Sequence, residues 1–153
     1  MSKPSPNGAA AEDQTGRFVV QPNGRVRPLS PHLQVWRFHL TMLGSILNRG
    51  AAVAMSVGIL FVVTWLGALA FGPEAHEAFA AVMGSPFGLA VWFGLTLAGA
   101  YHLTAGVRHL IWDAGAGLSP KAATTLTAVS LIAAAVIAVG FFAALFAAGK
   151  VTL

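Results

Sequence analysis

The sequence predicts an all-α integral membrane protein: three transmembrane helices behind a disordered or interfacial N-terminal segment. Its composition and three uncharged stretches of spanning length predict this class. Of 153 residues, 56% are hydrophobic and only 9% are charged, and the mean hydropathy is +0.73. An ordinary soluble domain carries about 25% charged residues. So few charges cannot cover so apolar a chain, which makes lipid part of its solvent.

The net charge of +4 comes from nine Lys and Arg against five Asp and Glu. The basic residues are dispersed and lack the clustering of a nucleic-acid footprint. The absence of cysteine excludes disulfides, thiolate zinc sites and cysteine-held iron–sulfur clusters within this chain.

Residues 1–24 are rich in Pro, Gly, Ser, Ala and Asn and read as a flexible tail. No apolar core of a signal peptide occurs within residues 1–14. Residues 25–153 form the membrane-anchor domain. Its first stretch, RVRPLSPHLQVWRFHL (25–40), is too polar to cross a bilayer and suits the membrane surface. There Trp36, Arg37 and Phe38 supply the amphipathic character of an interface.

The spans fall at about 41–71, 87–112 and 122–148. Two have uncharged cores of 21 residues (51–71 and 87–107), each about 31 Å long as a helix. The third has 27 and crosses with tilt. All exceed the run of about 18 apolar residues that marks a spanning helix. Barrel strands would be about 10 residues long and alternating, and nothing here alternates. Residues 72–86 read as a loop.

Orientation follows from the flanks. Lys3, Arg17, Arg25, Arg27, Arg37 and Arg49 lie on the N-terminal side, and Arg108 and Lys121 lie between spans two and three. The loop 72–86 has Glu74 and Glu77 but no Lys or Arg, and Lys150 is alone at the C-terminus. The positive-inside rule places the N-terminus in the cytoplasm and the C-terminus outside.

The sharpest candidate is His102, fifteen residues into the second span, where an ionisable side chain is a functional hypothesis by default. Gly94, Ala98, Gly99, Ala105 and Gly106 make a strip of small residues on much the same face. Helix packing explains such a strip alone. A haem explains both strip and imidazole, since histidine is a standard axial ligand. A neutral histidine hydrogen-bonded to a neighbouring helix stands on equal footing at this point.

His109 lies seven residues on, about 10 Å along the helix. Two ligands from one side cannot serve one iron, and the other spans hold no histidine, so a second axial ligand would come from another polypeptide. His109 and Arg108 suit haem carboxylates; the bland alternative is a wetted helix end with Asp113 as local partner. Ser45 and Arg49, four residues apart, suit a quinone carbonyl or a propionate. A snorkelling arginine is the alternative for Arg49. No nucleotide loop, zinc-protease pair or Ser–His–Asp set occurs.

Three stretches resemble the larger, cytochrome b membrane-anchor subunit of bacterial succinate dehydrogenase (complex II). They are RPLSPHLQVWR (27–37), TMLGSILNR (41–49) and AYHLTAGVRHLIWDAG (100–115). The third resembles the family's His-x-x-x-Gly-[IV]-Arg-His-x-x-x-Asp pattern and is the specific one. The second resembles a Ser-x-x-His-Arg signature, with Asn48 where the family has histidine.

The resemblance implies a haem b-binding subunit of succinate:ubiquinone oxidoreductase, without catalytic activity of its own. His102 would be the axial haem-iron ligand, with the opposing histidine from a smaller anchor subunit. His109 and Arg49 would lie near the haem propionates, and Ser45 and Arg49 would line the ubiquinone site. The implied partners are the smaller anchor, the iron–sulfur subunit and the flavoprotein subunit, at the bacterial inner membrane. A haem-free anchor of a related fumarate reductase and a small transporter with His102 in a pore are the rival readings.

Overall fold

The computed structural model describes residues 11–12, 18–28 and 37–151. The chain divides into two compact units, Met1–Arg37 and Phe38–Leu153.

In the first unit, β1 (Ala11–Glu12), β2 (Phe18–Val20) and β3 (Val26–Pro28) form a three-stranded antiparallel sheet in the order β1-β2-β3. Val20 stands opposite Val26. A turn joins β2 to β3: the Gly24 amide donates to the Gln21 carbonyl at 2.8 Å, and Asn23 Oδ1 accepts from the Arg25 amide at 3.1 Å. Gly24 sits at φ +77°, a conformation that suits glycine. Composition alone reads this stretch as a tail. The pairing signal was Pro22-Asn23-Gly24 set between two valine-bearing runs. Of the surface segment expected at 25–40, residues 29–36 lie outside the described residues.

The second unit holds α1 (Leu40–Phe71), α2 (Pro73–Met83), α3 (Pro86–Asp113) and α4 (Pro120–Ala147). The helices α1, α3 and α4 are each long and apolar enough to cross a membrane, and they match the three expected spans to within about two residues. The N-terminal ends of α3 and α4 are set locally. Ser85 and Ser119 cap α3 and α4, accepting from the amides of Gly88 and Ala122, and proline follows each cap.

The loop expected at 72–86 is instead mostly helix. Gly72, at φ +111°, breaks the chain between α1 and α2. Pro73 then occupies the first helical turn, Glu74 complements the positive end of the helix, and an alanine-rich run follows. At 11 residues α2 is too short to cross.

Small residues hold the three long helices together. Ala105, Ala134 and Ala138 are completely enclosed, and Ala51 and Ala100 are buried with them. Bundles in lipid lack a hydrophobic drive between helices, so close backbone approach and polar contacts replace it. Thr104 Oγ1 donates to the Ser130 carbonyl at 2.9 Å, linking α3 to α4. Phe93 meets Phe142 edge-on at 5.2 Å between the same helices. Outward positions carry Ile59, Leu60, Leu103, Ile132 and Val136, all exposed, as a lipid-facing surface requires.

Candidate functional site

The helix α3 carries two faces of different character. Tyr101, Ala105 and Arg108 are buried against α1 and α4, whereas His102 and His109 are exposed. Seven residues make about two turns, so the two histidines share a side. Six residues rotate by about 240°, so Arg108 falls on the other side from His102.

His102 makes no hydrogen bond or ion pair with any described residue. The neutral core histidine bonded to a neighbouring helix is therefore not what this bundle contains. Its interior does not contain His102 either, so no path through the three-helix core runs past this imidazole. One turn on, the Cβ position of Gly106 has no atom within 4 Å, and that of Gly94 is equally open.

The small-residue strip divides. Ala105 is fully buried in the core, and the Cβ position of Gly99 lies 3.2 Å from Met55 Sδ of α1. Gly94 and Gly106 leave open space, and of the two only Gly106 is one turn from His102. The strip spans too wide an arc of the helix to be one face, which explains why part of it serves helix packing.

His109 is not paired with Asp113; its ring packs edge-on against Trp112 at 5.3 Å. Arg108 is not at a wetted helix end. Only 3% exposed, it stacks over Trp112 with Cζ 5.0 Å from the ring centroid. Its Nε and Nη1, Trp112 Nε1 and Asn48 Oδ1 are all buried without a hydrogen-bond partner. Helical rotation of six residues is the sequence signal that separates Arg108 from the histidine face.

The start of α1 is fitted around Arg108. Tyr101 donates its hydroxyl to the Gly44 carbonyl at 2.8 Å. A Cβ on Gly44 would stand 2.5 Å from Thr127 Cγ2 and 3.2 Å from both Arg108 Nη1 and the Tyr101 hydroxyl. Only glycine fits there. Neither Gly44 nor Tyr101 was singled out by the sequence reading, since a close approach between helices leaves no local pattern.

That fit fixes the rotation of α1 and turns Ser45 and Arg49 outward. Both are exposed, one turn apart, and neither side chain is bonded within the described residues. Asn48, between them in sequence, is half-buried. The structure thus presents two pairs, Ser45 with Arg49 on α1 and His102 with His109 on α3. No hydrogen bond or ion pair joins one pair to the other among the described residues.

Residues 23–142 match the family described as "Succinate dehydrogenase/Fumarate reductase transmembrane subunit". The chain belongs to this family. It is 39% identical over 120 residues to the succinate dehydrogenase cytochrome b556 subunit of Paracoccus denitrificans, covering 76% of this chain and 92% of that one. It is 36% identical over 141 residues to the mitochondrial cytochrome b560 subunit of Sus scrofa, covering 90% and 83%. The mouse b560 subunit is 34% identical over 145 residues, with 92% and 84% covered. The chain is accordingly a cytochrome b-type membrane anchor, a member of an oxidoreductase complex, and its three apolar helices are the anchoring spans.

The donor set accommodates a haem. A histidine that serves as an axial ligand needs a free ring nitrogen on an open face, and His102 is exposed, unbonded among the described residues and one turn from the open space at Gly106.

Proposed function

We propose that this chain is the larger anchor of a succinate:ubiquinone oxidoreductase and supplies one half of a haem b site and part of the ubiquinone site. The observation that carries this is the exposed, unpartnered imidazole of His102 midway along a spanning helix. An ionisable group in that setting needs an external partner.

His102 would hold the haem iron, and a smaller anchor subunit would contribute a second histidine. His109, on the same side of α3, and Arg49 hold the haem carboxylates. Haem, when bound, supplies one-electron storage beside the quinone.

Arg49 donates to one oxygen of the ubiquinone ring. A guanidinium stays charged at every working pH, so it favours the negative charge that develops on that oxygen during reduction. The Ser45 hydroxyl donates to the quinone or positions a water beside it. Outward exposure leaves both side chains free for this task, because the Gly44 contact holds the helix face behind them.

The flavoprotein and iron–sulfur subunits dock on the side where α1 begins, which is the cytoplasmic face of a bacterial inner membrane. Succinate oxidation is a hydride transfer that needs the flavin of the partner, and no step of it is assigned to this chain.

Affinity purification of the chain from its native membrane tests the assembly. Flavoprotein and iron–sulfur subunits are expected to come down in equal amounts with it. Recovery of the chain without either one contradicts the proposal.

A further inference from the structure

At the end of the bundle away from Ser45 and Arg49, a cavity of about 640 Å³ lies among α1, α2, α3 and the C-terminal residues. Trp65, Phe79, Met83 and Trp92 form its apolar wall, and His76 and Lys150 line it as well. Its volume lies in the range of about 300–1,000 Å³ that encloses small ligands.

The charge arrangement around it follows from α2. His76, Phe79 and Met83 recur at helical spacing and face the cavity. Glu74 and Glu77 fall on the remaining face of α2 and are exposed. The acids are thus turned away, while Lys150, itself exposed, borders the cavity. Lys150 is also the single Lys or Arg in residues 57–100 and 130–153, the whole of this end of the spans.

A cationic rim over an aromatic wall, at the level where helices leave a membrane, matches a molecule with an anionic head and a hydrocarbon body. We propose that this cavity holds one phospholipid of the leaflet on the α2 side. Its phosphodiester meets Lys150 and His76, and its glycerol and first acyl carbons lie along Trp65 and Trp92. The inference is independent of the haem and quinone reading.

The test uses the intact complex, delipidated in detergent and titrated with phosphatidylglycerol under native mass spectrometry. Wild type is expected to retain one more phosphatidylglycerol per chain than Val62→Trp, which fills the cavity from α1. Lys150→Gln, an exposed position close to the chain end, is expected to weaken that retention about fivefold, the worth of one basic side chain against an anionic headgroup. Equal retention by all three proteins overturns the proposal. So does equal affinity for an uncharged diacylglycerol, which would show an acyl groove without phosphate recognition. Density for a partner polypeptide in the cavity would overturn it as well.

Discussion

His102 and Arg108 stand six residues apart on α3 and point to different sides of it, the imidazole exposed and the guanidinium 3% exposed within the bundle. One helix thereby serves two tasks. Its outer side leaves the imidazoles of His102 and His109 exposed, and its inner side locks the start of α1. The residues proposed for haem and quinone are all on outer sides, so completing either site falls to molecules beyond this chain.

The lock predicts the effect of Gly44→Ala. A methyl group there would press on Thr127, Arg108 and Tyr101, and overpacking of this kind costs about 1–3 kcal/mol. The thermal midpoint of the complex should fall. Quinone reduction should fall with it, because Ser45 and Arg49 move when α1 rotates. An unchanged midpoint and rate would show that the contact is not tight.

Tyr101→Phe isolates the hydrogen bond from the packing. The ring stays and the bond to the Gly44 carbonyl goes, a loss of about 1 kcal/mol. The melting curve should shift slightly while the haem spectrum stays as in wild type.

Arg108 carries two buried donors without acceptors. Replacing even a buried ion pair by apolar side chains of similar volume is often neutral or stabilising, by about 1–4 kcal/mol, and a charge with no partner has less to lose. Arg108→Met should therefore leave the melting temperature of the complex unchanged or raise it. A clear drop would show that an acceptor from outside the chain meets the guanidinium.

Arg49→Leu should separate two activities. Reduction of ubiquinone should fall by about 100-fold, the scale of losing one charge-stabilising donor. Electron transfer from succinate to a soluble artificial acceptor, which bypasses the membrane site, should hold. Equal loss of both would make Arg49 a structural residue.

Much of this was legible in the sequence. The spans could be read because three uncharged apolar runs exceed the length a membrane helix needs. His102 stood out because imidazole is rare at that depth. The helix α2 was hidden because PEAHEAFAAVM is neither apolar enough to span nor polar enough to stand apart from a loop. The inward turn of Arg108 is not marked locally, because a basic residue near a span end suits a topology signal, a haem carboxylate or a wetted helix end alike; only its rotation of six residues from His102 carries the direction. The fit of Gly44 against Thr127 and Tyr101 joins residues 57 and 83 positions apart, and no local pattern reports such a pair.

The central claim is that His102 ligates haem, and the reduced-minus-oxidised spectrum of the purified complex tests it most directly. Wild type should show the sharp bands of a low-spin b-type haem. His102→Ala should lose them, or show the altered spectrum of a haem with one axial ligand, while the flavoprotein and iron–sulfur subunits still co-purify. An unaltered spectrum in His102→Ala, with the complex intact, would contradict the account.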